Sequence, residues 1–152
     1  MTLKPLLENL LPHKPPMLFL DSILFVDAER SSCTAIVSKG MPFLDDNGNL
    51  PSWVGIELMA QTIAVWGGHY SKSISRDADI GLLLGSRKYI TELDVFPFGV
   101  HMIVNAEKII QDGNMGVFQC SIHLDDKTVA SAQVSTYLPD KEELMKILER
   151  EV

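Results

Sequence analysis

Glu57 and Gln61 stand four residues apart in the stretch Pro51-Ser-Trp-Val-Gly-Ile-Glu57-Leu-Met-Ala-Gln61-Thr-Ile-Ala-Val-Trp-Gly-Gly68. On a helix this spacing puts a carboxyl and an amide on one side. Around them Val54, Ile56, Leu58, Met59, Ala60, Ile63, Ala64, Val65 and Trp66 leave no wide polar face, and a helix that is apolar all round is normally buried. A carboxylate in such surroundings is costly unless it is paired, hydrogen-bonded or protonated. Burial raises its pKa and favours the acid form. Glu57 is therefore a candidate proton donor, and Gln61 a candidate for orienting it. The competing readings are a first-turn Glu facing solvent, where the helix dipole favours a carboxylate, and a Gln that satisfies a buried backbone group.

The remaining reactive side chains form no comparable pattern. His69 follows Glu57 by twelve residues, about 18 Å along a helix, too far to pair with it in the same chain. His101 and His123 fall on strand patterns and are expected at the surface. The four histidines lack metal-ligand spacing. Cys33 and Cys120 have no activating neighbour in the sequence and read as small buried apolar residues. Residues 81–88 lack the Gly-Lys-Ser order of a phosphate loop. Met17, Phe43, Trp53, Phe96 and Phe98 are either the lining of an apolar cavity or plain core.

The elements that must position these residues are legible from period and punctuation. The chain has 152 residues, 46% hydrophobic and 22% charged, which suits one globular domain with a substantial core. Its net charge of −7 argues against non-specific nucleic-acid binding and requires any acidic partner to meet a local basic patch. The cysteines make no disulfide framework, so a reducing cytoplasm is the default. Pro5, Glu8 and Asn9 interrupt a signal-like start, and the apolar run of the central helix is shorter than the roughly 20 residues of a membrane span.

Residues 2–10 suit a short helix, and Leu11-Pro-His-Lys-Pro-Pro16 a stiff extended segment. Met17 to Val26 and Ser31 to Val37 read as strands, and Gly40 to Leu50 as a polar loop. The central helix is expected to start near Pro51 and Ser52 and to stop at Gly67-Gly68. Ile80 to Ile90 is a strand interrupted by Gly85. Phe96-Pro-Phe-Gly99, Asp112-Gly113 and Asp125-Asp-Lys127 are turns. Between and after them Met102, Val104, Ala106, then Phe118, Cys120, Ile122, Leu124, then Ala130, Ala132, Val134 alternate with outward residues, the pattern of half-buried antiparallel strands. Asp140 with Glu143 suits the capping box of a short helix over 139–152. The expected architecture is a single α+β domain in which a curved antiparallel sheet wraps one apolar helix.

Three blocks carry a resemblance to a known family. Leu11-Pro-His-Lys-Pro-Pro-Met-Leu-Phe-Leu-Asp21 resembles the N-terminal motif of the bacterial 3-hydroxyacyl-acyl-carrier-protein dehydratases. Pro51 to Gln61 resembles the start of their central helix, which carries the catalytic acid, and Leu83-Leu-Gly-Ser-Arg-Lys-Tyr89 resembles the strand after it. The resemblance covers residues 8–138 and is nearest to the dehydratase-like branch of aryl-polyene and related lipid gene clusters. It implies a hot-dog fold and a homodimer, or a hexamer or hetero-oligomer with another dehydratase, with acyl tunnels across the dimer interface. The implied substrate is an acyl chain on the phosphopantetheine arm of an acyl carrier protein, with no metal or redox cofactor.

Residue by residue, the resemblance makes Glu57 the acid and puts a backbone N–H at Ser52 or Trp53 on the thioester oxygen, helped by the positive helix end. Arg87 and Lys88 fall where the family carries basic residues beside the tunnel mouth, with ordinary solvated charges as the alternative. The usual catalytic His, fourteen residues before the acid in a Gly-His-Phe-Pro segment, is replaced by Phe43 within Gly40-Met-Pro-Phe-Leu44. The imidazole left near the tunnel is His13, which is expected to take the base role; its alternative is a hydrogen bond to backbone. Two other functions follow from the same residues: a non-catalytic subunit that binds an acyl carrier, and a thioesterase in which the helix carboxylate directs water.

Overall fold

The computed structural model describes residues 16–73 and 82–137, together with Leu7, Leu10, Leu11, Glu142, Met145, Lys146 and Glu149. The alternating segments of the second half form the long strands. These are β4 (Leu82–Thr91), β6 (His101–Asp112), β7 (Met115–Leu124) and β8 (Lys127–Tyr137), preceded by β1 (Ser22–Val26) and β2 (Arg30–Ile36). They pair antiparallel in the order β1-β2-β6-β7-β8-β4. A separate ladder joins β3 (Leu50–Pro51) to β5 (Val95–Phe96). The hairpin turns fall within a residue of the expected places: Asp112 pairs with Met115, so the first turn is Gly113-Asn114, and the second is Asp125-Asp126, with Leu124 paired to Lys127; Gly113, Asp125 and Asp126 have positive φ, which such turns favour.

The helix α1 (Gly55–Ser73) follows a 3₁₀ turn at Ser52–Val54 and lies against the face formed by β2, β6, β7 and β8. Cys33, Ala35, Met102, Val104, Ala106, Phe118, Cys120, Ile122, Ala132 and Val134 from the sheet, with Leu58, Met59, Ile63, Val65 and Trp66 from the helix, make one buried cluster. Trp66 sets its ring edge-on to Phe118, 5.1 Å between centroids. The Ser31 hydroxyl donates to the Thr62 carbonyl at 2.6 Å, which ties β2 to the middle of the helix. Among the described residues no helix is long and apolar enough to cross a membrane.

The structure departs from the sequence reading in two places. Met17 to Leu20 is not strand; β1 begins at Ser22. The Phe19 N–H and the Met17 carbonyl, which a sheet neighbour would otherwise take, are bonded to the Gln61 side chain. Secondly, Gly67-Gly68 does not end the helix, which runs on to Ser73. Gly68 is small for packing, because a Cβ there would overlap the Leu10 backbone. The Asp140 and Glu143 capping box lies outside the described residues, as do most of residues 2–10 and 139–152.

Candidate functional site

Gln61 is fully buried, and every part of its amide is used. Its NH2 group donates to the Met17 carbonyl at 2.7 Å and to Glu57 Oε1 at 3.1 Å. Its oxygen accepts the Phe19 N–H at 2.9 Å. Only an NH2 can serve two oxygens, so the amide has one orientation. Helical side chains lean toward the N-terminus, which is why Gln61 reaches back to Glu57. Glu57 is half-buried in the first turn of α1. Its Oε1 accepts from the Gln61 amide, which fixes the carboxyl on the side of the helix that faces Met17 and Phe19.

The start of the helix is clamped independently. The Ser52 N–H donates to the Asp94 carbonyl at 3.0 Å, continuing the β3–β5 ladder. The Ser52 N–H is thereby taken; the other amide named from the sequence is that of Trp53. The first N–H groups of a helical segment have no acceptor within it, and the dipole makes that end favourable for negative charge. The Ser52 carbonyl accepts the hydroxyl of Tyr89. Burial pushes that phenol up to about 12, so it remains a donor.

Aromatic rings stand over the same end of the helix. Phe43 has φ 72°, a backbone conformation costing an aromatic residue about 1–3 kcal/mol. Its ring sits edge-on to Phe19 at 6.4 Å and to Trp53 at 5.4 Å, so the rings link the 17–20 segment to the helix start. Phe43 and Trp53 remain 49% and 61% exposed, whereas Phe96 is fully buried core. Met17 and Phe98 are exposed as well.

The other candidates stand apart from this cluster. Lys88 is exposed on the sheet face turned away from α1, in a groove of about 290 Å³ shared with Gln119, Ser131 and Gln133. Arg87 pairs with Gln133 through its backbone; its side chain lies outside the described residues, as does His13. His123 is more than a surface residue, since its ring bonds Ser121 at 2.9 Å and Thr128 at 3.2 Å. Burial pushes the thiols of Cys33 and Cys120 up to about 12, so neither is a nucleophile at neutral pH. Among the described residues no three His, Cys, Asp or Glu side chains gather to hold a metal ion. The sequence reading missed Tyr89 and Asp94, whose partner Ser52 lies far from both in sequence.

One helix wrapped by a six-stranded antiparallel sheet, with a carboxyl at the helix's first turn, is the hot-dog arrangement. The chain matches the ApeP-like family, described as ApeP dehydratase, over residues 5–149, and belongs to it; the protein is a dehydratase of the hot-dog fold. A chain of the dehydratase heterocomplex ApeI:P from Xenorhabdus doucetiae is 31% identical, with a TM-score of 0.87 over 93% of this chain and 96% of that one. The 3-hydroxyacyl-[acyl-carrier-protein] dehydratase FabZ of Psychrobacter arcticus is 28% identical over 84% of this chain and 90% of its own length. A mutant of the phenylacetic acid degradation protein PaaI from Thermus thermophilus shares the fold alone, at 12% identity and TM-score 0.60 over 78% of this chain and 92% of that one.

Proposed function

We propose that this dehydratase removes water from 3-hydroxyacyl thioesters carried on an acyl carrier protein, giving trans-2-enoyl thioesters. The observation that carries the reading is the Gln61–Glu57 bond, which holds the carboxyl in place at a helix N-terminus. In the reaction a base takes the proton from C2, and the electron pair moves toward the thioester carbonyl. The developing charge on that oxygen is met by the Trp53 N–H. The pair then returns to form the C2=C3 bond as the C3–O bond breaks, and the Glu57 carboxyl protonates the departing hydroxyl. Water leaves, and the proton taken by the base restores Glu57.

His13 is the proposed base. Its support is positional: Met17, four residues on, shares an amide with Glu57, and four residues span at most about 14 Å. Phe43, Trp53 and Met17 are proposed to form the apolar wall for the acyl chain. Lys88, with Arg87, is proposed to receive the acidic surface or phosphopantetheine phosphate of the carrier. The heterocomplex of the Xenorhabdus relative and the exposed rings of Phe43 and Trp53 support an oligomer, whether a homodimer or an assembly with a second dehydratase; the unpaired thiols of Cys33 and Cys120 suit a reducing cytoplasm.

A second reading is favoured by Phe43, an aromatic where the family carries His: the chain is then a carrier-binding subunit that supports an active partner. Mass spectrometry of a 3-hydroxyacyl carrier protein incubated with the purified protein separates the readings. The dehydratase reading expects loss of water, reduced about 10²-fold or more in Glu57→Gln and also in His13→Ala. An unchanged substrate assigns the binding role, and free acid assigns a thioesterase. Lys88→Glu is expected to raise KM for the carrier substrate; an unaltered KM removes its docking role.

A further inference from the structure

We propose that Tyr89 is a positioning residue for the reaction: its hydroxyl, bonded to the Ser52 carbonyl, aims the Trp53 N–H at the thioester oxygen. The proposal rests on the reading of the helix start given above.

The peptide joining Ser52 to Trp53 is planar and trans, so its C=O and N–H point in opposite directions. Whatever holds the Ser52 oxygen also sets where the Trp53 N–H points. Two donors hold it, the Gly55 N–H that closes the 3₁₀ turn and the Tyr89 hydroxyl that crosses from β4. A helix start is otherwise prone to fray, because its first turn lacks part of the hydrogen-bond ladder. The cross-link to a strand removes that freedom at the one peptide where direction matters.

The fold makes specific provision for this contact. Opposite Ala132 the pairing of β4 with β8 skips, with Arg87 facing Gln133 and Ile90 facing Ser131. One extra residue is therefore accommodated on β4, and Lys88 takes φ 55°. A bulge of this kind re-aims the next side chain: Lys88 stays on the outer face and Tyr89 turns inward to the helix start. Room for the hydroxyl comes from Gly55, where a Cβ would overlap it and would stand 3.1 Å from Ile122. Burial keeps the phenol protonated through the neutral range.

Tyr89→Phe keeps the ring and its packing and removes only the bond. Turnover of a 3-hydroxyacyl carrier substrate is expected to fall about tenfold or more with KM nearly unchanged, as for loss of a donor acting in the transition state. A lower melting temperature with unaltered kcat, or a change in KM alone, overturns the proposal. A second measurement does not depend on turnover. In Glu57→Gln, in which dehydration is expected to be slowed, the infrared band of a ¹³C-labelled thioester carbonyl is expected below its free-substrate frequency. Adding Tyr89→Phe should return it toward the free value. Bands at one frequency in both proteins overturn the role of Tyr89. Failure of the unaltered protein to dehydrate overturns the activity instead and leaves the band comparison decisive for the amide.

Discussion

Gln61 joins three groups with one amide: the Met17 carbonyl, the Phe19 N–H and the Glu57 carboxyl. Because the side chain is fully buried, an apolar replacement of similar size would strand polar groups that water cannot easily reach. Gln61→Met is expected to destabilise the protein by about 2–4 kcal/mol, read from the urea midpoint, since each unsatisfied buried group costs about 1–3 kcal/mol. Gln61→Glu still offers an acceptor to the Phe19 N–H, but it sets a second carboxyl against Glu57 and is expected to slow turnover. Equal stability of Gln61→Met and the parent would show that the amide is not a structural bond. The Glu57–Gln61 pair was legible from spacing alone, since a helix places residues four apart in contact. Tyr89 was not, because its acceptor lies 37 residues away in sequence and no local pattern encodes a contact across that separation.

The glycine pair of α1 shows why element boundaries are harder to read than element types. A Gly pair after an apolar run is a common helix stop, yet here the helix continues through it to Ser73. The two glycines differ in what surrounds them. A Cβ on Gly67 would meet nothing within 4 Å, whereas one on Gly68 would overlap the Leu10 backbone. Gly67→Ala is therefore expected to stabilise the protein by up to about 1 kcal/mol, the helix-propensity difference. Gly68→Ala, with the same gain in propensity, is expected to lower stability and to loosen the Leu10–Leu11 segment, seen as faster proteolysis near the N-terminus. If the two variants melt alike, the close approach of Leu10 is not what keeps position 68 small. The strands were read more securely: the alternation over Phe118, Cys120 and Ile122 and over Ala130, Ala132 and Val134 survives as burial. The segment from Met17 to Leu20 was misread because its apolar content matched a strand while its backbone partners belong to a helix side chain.

At the scale of the molecule, the sheet closes over one face of α1 and encloses groups that titrate only at alkaline pH. The order of elements and the wrapped helix were legible because inward and outward residues must alternate on a sheet with one dry face; the placement of Cys33 and Cys120 in that dry layer followed from the same alternation. Burial pushes both thiols from 9.0 up to about 12, and Tyr89 from 10.0 up to about 12. A group whose pKa is higher folded than unfolded holds its proton more tightly in the native state. Its contribution is complete below the unfolded value and is lost as pH rises toward the folded one. Stability is thus expected to be level near pH 8 and to fall between about pH 9 and 12, by roughly 1–3 kcal/mol per pH unit where both thiols count. Urea midpoints at pH 8, 9 and 10 measure this. Cys33→Ala and Cys120→Ala should each start about 1 kcal/mol lower at pH 8, from the small space left behind, and then lose less stability per pH unit than the parent. A parent whose midpoint is level across pH 8–10, or alanine variants with the parent's slope, would show that these thiols ionise as readily folded as unfolded, and so that the layer between helix and sheet admits water.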